Sequence, residues 1–208
     1  MSRVENVIVV YGGRFQPPHP GHYNLYRKLV QFFGENNVYI STSDKVDLKN
    51  KTTPSPFNFE EKKFLWTKLF DVPSNRIVFS KNPIFRPEEI LSKYDSEKTA
   101  HVTVTSAKDA VRYANVKNFE PYPIDFTGNP MPVERFRKIA EPYTEKTYYI
   151  ILPVLSENIS STKIREIFFD SNKSDKEKIE ELKKIYGHFD KEIYNFMKSR
   201  IEKIKNKK

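Results

Sequence analysis

The chain has no cysteine, which excludes disulfides and thiolate metal sites and suits a reducing compartment. Long apolar runs are missing too. The N-terminal stretch MSRVENVIVVYGG carries only a five-residue run, too short for a signal-peptide core or a membrane span. A cytoplasmic protein with no membrane partner is therefore expected. Glycine and histidine are scarce, with six and four copies among 208 residues. Their distribution is uneven: three of the glycines and two of the histidines fall within YGGRFQPPHPGH, residues 11–22. Glycine lets backbone approach a ligand closely, and histidine can donate hydrogen bonds near neutral pH.

The length suffices to bury a proper core in one large domain, or in one domain with an appendage. With 38% apolar residues and 14% aromatics, the composition is that of a globular protein packed largely by Tyr and Phe. The net charge is +9, but the last eleven residues, KSRIEKIKNKK, hold +5 of it. Lysines favour a helix C-terminus, so this end reads as a solvated helix terminus, not as a grip on nucleic acid. The remaining charge suits an enzyme that handles small anions.

Apolar runs alternate with amphipathic stretches. NVIVVY (6–11), NVYIST (37–42), RIVFS (76–80), HVTVTS (101–106) and TYYIIL (147–152) read as five strands. Helices are expected over 22–34 with Gly34 as the stop, over 58–70 with an Asn58/Glu61 capping box, in RPEEILSKY and in AKDAVRYA. From Ser160 onward the pattern is helical throughout, while the proline-rich segment 116–146 has no clear period. Strands separated by helices predict a Rossmann-like, doubly wound parallel sheet with helices on both faces and a helical C-terminal extension. Ligands of such sheets bind beyond the carboxyl ends of the strands. The first loop leads from strand one into helix one, where exposed amides and the helix dipole favour a phosphate.

His19 and His22 are three residues apart at that helix mouth, with Gly21 between them leaving room for a ligand. Two imidazoles donating to one phosphate would stabilise charge developing in a transition state. A zinc pair or a structural turn has the same spacing. However, His101 and His188 are distant in sequence and no HExxH pattern supplies a third ligand. A second stretch, NISSTKIREIFF (158–169), follows strand five. There Ser160, Ser161 and Thr162 can cap a helix and form another anion site, with Lys163 and Arg165 just inside it. Two helix mouths at strand ends can clamp one polyphosphate.

GRFQPPHPGH followed late in the chain by ISSTKIR resembles the HxGH nucleotidylyltransferase superfamily, and the resemblance covers roughly residues 6–170. It implies a catalytic domain over 1–170 and a charged helical extension over 171–208. It also implies direct transfer of a nucleotidyl group: the acceptor phosphate attacks the α-phosphorus of a nucleoside triphosphate and pyrophosphate leaves. Catalysis would then be positioning and charge stabilisation. By the resemblance His19, His22, Arg14 and Arg165 are the catalytic residues. Gly12, Gly13, Phe15, Gly21, Ser160, Ser161, Thr162 and Lys163 would line the nucleotide, with Ser161 and Thr162 on the β- and γ-phosphates. Magnesium would be bridged mainly by phosphates and water, with no dedicated carboxylate cage.

GRFQP is similar to the loop of archaeal-type nicotinamide-mononucleotide adenylyltransferases, and SPFNFEEKK (55–63) resembles the NPFT-x-GER segment of the same family. AMP transfer from ATP to nicotinamide mononucleotide, and thus NAD biosynthesis, is the leading expectation. Lys51, among the loop lysines Lys45, Lys49 and Lys51, is similar to the acceptor lysine of the pantetheine-phosphate branch. SAKDAVRY (106–113) makes Asp109 a candidate for a ribose and Arg112 one for a phosphate, although Ala107 replaces the glycine that relatives often carry. Cytidylyl transfer and pantetheine-phosphate adenylyl transfer are the alternatives, followed by a catalytically silent nucleotide-binding module. The expected partners are ATP and a small phosphorylated acceptor. A homo-oligomer is suggested by family analogy alone.

Overall fold

The computed structural model describes residues 4–50, 52–105, 111, 113, 116–152 and 159–205. The chain divides into two compact units: Met1–Gly13, Asn24–Thr42 and Asn75–Leu155 form one, and Arg14–Tyr23, Ser43–Ser74 and Ser156–Lys208 form the other.

The first unit holds a six-stranded sheet. In chain order the strands are β1 (Asn6–Gly12), β2 (Val38–Thr42), β3 (Ile77–Phe79), β4 (Thr99–Thr105), β5 (Phe119–Pro121) and β6 (Thr147–Ile151). They lie in the order β3-β2-β1-β4-β6-β5, and every pairing is parallel. All residues of β2 and β4 and the central five of β1 are buried. β1 runs apolar without alternation, as suits a strand covered on both faces, whereas β4 buries Thr99, His101, Thr103 and Thr105 between its apolar residues. The two edge strands have three residues each, and short edges resist pairing with other chains. The architecture is the Rossmann-like α/β class expected from the strand–helix alternation, with six strands instead of five. The extra strand lies in the proline-rich segment. A three-residue strand containing Pro121 has no legible period, and only its ladder with β6 makes it a strand. That segment also contains a one-turn helix at Val133–Phe136. Of the helix expected after the fourth strand only Val111 and Tyr113 lie among the described residues, and both are helical.

Helix α1 (Pro20–Phe33) begins two residues earlier than its apolar pattern, because Pro20 suits a first helical turn. Gly34, with φ of 81°, ends it. Helix α2 (Phe59–Phe70) has the full Asn58/Glu61 capping box. A short helix, α3 (Glu88–Leu91), contributes Ile90 and Leu91 to a core with Ile8, Val10 and Tyr39. With Val133–Phe136 as α4, the C-terminal helices are α5 (Ser161–Phe169), α6 (Asp175–Tyr186) and α7 (Lys191–Lys205).

The second unit is built from α2, α5, α6 and α7 around Phe57, Leu65, Trp66, Ile164, Leu182, Tyr194, Met197 and Ile201, all 2% exposed or less. The lysine-rich end is not wholly solvated. Ile201 is fully buried, and Nε of Arg200 donates to Glu61 Oε1 at 2.7 Å. The same Glu61 closes the α2 cap by accepting the Asn58 amide on its other oxygen.

Candidate active site

β1 ends at Gly12, and the chain passes directly into the loop 13–19. Gly12 is explained by packing: a Cβ there would lie 2.0 Å from the carbonyl oxygen of Pro83. The amide of Gly13 donates to the Ser41 carbonyl at 3.0 Å and continues the sheet pattern one residue further. Phe15 then turns with a positive φ of 47°, a conformation that costs a non-glycine residue energy and is tolerated where surroundings over-determine it. Those surroundings are visible. The Phe15 ring is buried, edge-on to Trp66 at 5.2 Å and to His22 at 5.0 Å. It is thus a core ring supporting the histidines from inside. Trp66, on α2, is fully buried beneath them.

Gln16 is a site residue that the sequence reading did not single out. Its amide exchanges two hydrogen bonds with the backbone of Phe57, donating to the carbonyl at 2.7 Å and accepting from the N–H at 2.9 Å. This splices the loop to the segment that leads into α2. In that segment Lys62 is fully buried and donates to the Ser43 carbonyl, and burial pushes its ammonium down to about 8. Asp47 and Ser55 bond each other's backbone, so the intervening lysine-bearing loop closes as a small hairpin.

His19 and His22 sit at the mouth of α1, where the His19 carbonyl accepts from the amides of His22 and Tyr23. The two rings stack with centroids 3.6 Å apart. The amide of His19 donates to Nδ1 of His22 at 3.3 Å, so the neutral His22 ring carries its proton on Nε2 and can donate from there. Nδ1 of His19 is buried with no hydrogen-bond partner among the described residues. Desolvation lowers His19 to about 4; desolvation and then the His19 charge lower His22 well below its ordinary value. Both rings are neutral at pH 7.

The second motif meets the first. Ser160 caps α5 by accepting the Lys163 amide. Ser161 Oγ donates to the carbonyl of Pro17 at 2.8 Å. Arg165, 5% exposed, donates through one nitrogen to the carbonyl of Gln16 and through the other to Thr162 Oγ1 at 3.1 Å. Desolvation, and then repulsion from the exposed Arg14, push the Arg165 guanidinium down. Two guanidinium groups that repel each other, beside the N-termini of α1 and α5, make a local excess of positive potential. Thr162 and Lys163 are exposed at that N-terminus. Of the expected acceptor contacts, Lys51, Asp109 and Arg112 lie outside the described residues.

The paired-histidine mouth of α1 and the hydroxyl- and cation-bearing mouth of α5 are thus joined within the second unit. A family model for cytidylyltransferase-like proteins matches residues 10–167, and the chain belongs to that family. No protein of curated description matches the sequence. Among solved structures, the chain is similar to a nicotinic acid mononucleotide adenylyltransferase of Plasmodium falciparum complexed with NaAD. The identity is 13% and the TM-score 0.48, over 93% of this chain and 95% of that one. The same Plasmodium enzyme complexed with APC gives 14% and 0.47, over 93% and 94%. A protein of Vibrio parahaemolyticus assigned as a nicotinate-nucleotide adenylyltransferase gives 14% and 0.44, over 80% and 82%.

Proposed function

We propose that this chain transfers the AMP group of ATP to a phosphate-bearing acceptor, nicotinamide mononucleotide, and releases pyrophosphate. Membership in the cytidylyltransferase-like family supports the nucleotidyl transfer. The observation that carries the assignment of residues is the joining of the two motifs, in which Ser161 and Arg165 hold the backbone of the histidine loop. Adenylyl over cytidylyl transfer, and the acceptor, rest on the likeness of GRFQP and SPFNFEEKK to adenylyltransferase segments.

In this reading the triphosphate lies across the mouths of α1 and α5. The Nε2–H of His22, the amides of the first turns and the cations Arg14 and Lys163 face its oxygens. As the acceptor phosphate attacks the α-phosphorus, negative charge grows on the phosphates. Preorganised donors then gain strength without having to reorganise. Arg165, already bonded to Gln16 and Thr162, fixes the loop that presents the histidines, and its charge favours the leaving pyrophosphate. Magnesium supplies further charge neutralisation when bound. Triphosphate oxygens and water would carry most of its coordination, as is usual for that ion. Among the described residues no helix is long and apolar enough to cross a membrane. Work in the cytoplasm and in NAD biosynthesis belongs to the same proposal.

The test is pyrophosphate release with magnesium, crossing ATP and CTP against nicotinamide mononucleotide, phosphopantetheine and glycerol 3-phosphate. ATP with nicotinamide mononucleotide should give release and a dinucleotide product. Release only with another pair would overturn the acceptor or the nucleotide, and silence with every pair would overturn the transfer reaction.

A further inference from the structure

Gln16-Pro17-Pro18 immediately precedes His19, and its two prolines have no N–H to offer. What this backbone can do is accept, and three successive carbonyls each take a side-chain donor. Arg165 donates to Gln16, Ser161 to Pro17, and the hydroxyl of Tyr186 to Pro18 at 2.9 Å. The first two donors belong to the ISSTKIR motif. Tyr186 belongs to no motif and lies beyond residue 167, where the family match ends.

We propose that Tyr186 is a positioning residue for the histidine loop, so that the C-terminal helices take part in catalysis through its hydroxyl. The inference rests on the nucleotidyl-transfer reading of the same site. Tyr186 is the last residue of α6, and Gly187, with φ of 80°, ends the helix directly after it. Its ring is 7% exposed and packs against Phe70 and Phe189 at centroid distances of 5.9 and 5.4 Å. The hydroxyl therefore reaches Pro18 from a fixed ring. Pro18 is covalently joined to His19, whose amide in turn holds Nδ1 of His22. A shift of the Pro18 carbonyl moves both imidazoles. Burial also raises the phenol well above its ordinary value, so it stays a donor throughout the working pH range.

A control is built into the same helices. Tyr194 on α7 is 1% exposed, and its hydroxyl donates to Asp175 Oδ1 at 2.7 Å, a partner on α6 and not on the histidine loop. Each tyrosine loses only a hydroxyl on change to phenylalanine. The test compares Tyr186→Phe and Tyr194→Phe by steady-state kinetics and by the NMR resonances of the His19 and His22 ring protons. Tyr186→Phe should lower kcat about tenfold with KM for both substrates within about twofold, as expected when only alignment in the transition state is lost. It should also displace the ring resonances of His19 and His22. Tyr194→Phe should leave both readouts unchanged.

A Tyr186→Phe enzyme with wild-type kcat and unmoved resonances would overturn the inference, as would equal losses in the two variants. If the wild type releases no pyrophosphate with any pair, the transfer reading fails and the resonances alone decide. Their displacement in Tyr186→Phe supports positioning, and their constancy refutes it.

Discussion

The rings of His19 and His22 stack at 3.6 Å with their planes inclined by 27°, and one backbone amide locks the second ring to the first. Such a pair cannot carry two charges cheaply, and both rings are held neutral by burial. In the proposed reaction they would serve as neutral N–H donors to the phosphates.

Replacing His22 by alanine removes the donor with the defined tautomer while leaving Phe15 and Trp66 beneath it. We expect kcat to fall by about 10²-fold or more, the range for a lost transition-state donor. The circular dichroism of the variant should match the wild type. Turnover within a few-fold of wild type would remove His22 from the catalytic assignment.

Arg165→Lys keeps a positive charge but loses the fork that spans Gln16 and Thr162. A lysine reaches one partner and leaves the other without its donor. Thr162 is exposed and can turn to water, but a buried Gln16 carbonyl left without its donor costs about 1–3 kcal/mol, so urea unfolding should show a loss of up to that size. Activity should fall with it. Unchanged stability would mean that the loop does not need the fork.

His101 lies on β4, 1% exposed, with Nε2 lacking a hydrogen-bond partner among the described residues. Desolvation lowers its folded-state pKa from 6.5 to about 4. Between those values the unfolded chain binds the proton and the folded chain does not, so stability falls as pH drops from 6.5 towards 4 and is undiminished above 6.5. The difference is on the order of 3 kcal/mol for one imidazole. His19 is shifted in the same direction. His101→Gln should flatten the decline of melting temperature over this window, and a slope equal to the wild type would show that His101 does not contribute.

Deleting residues 199–208 removes Ile201, which is fully buried, and the Arg200 bond to Glu61. Loss of one buried aliphatic side chain with its cavity costs about 3 kcal/mol, or roughly 6–12 °C in a chain of this size. Differential scanning fluorimetry would check this. An unchanged midpoint would restore the reading of the lysine-rich end as a solvated terminus.

The residues themselves made much of the molecule legible. A continuous, largely β-branched run such as VIVVY suits a strand covered on both faces. Asn58 and Glu61 stand at capping-box spacing, and the glycine and histidine crowding marked the loop after β1. These are local signals, carried by periodicities and short spacings, and they survive without knowledge of the fold. The motif pair was legible too, because GRFQPPHPGH and ISSTKIR are short local spacings.

Tertiary structure decided what depends on distant partners. Phe119–Pro121 is a strand because β6 pairs with it, and nothing in three residues ending in proline announces that. Phe15 has the type of a base-stacking ring, yet it is buried beneath the histidines, since burial is a property of neighbours. Gln16 meets Phe57 across 41 residues, and Tyr186 meets Pro18 across 168. Sequence alone determined where the glycine- and histidine-rich loop lies, though it placed the start of the following helix two residues late. Only the folded chain decided what holds that loop still, because backbone carbonyls carry no sequence signature and their donors come from whichever elements packing brings within 3 Å.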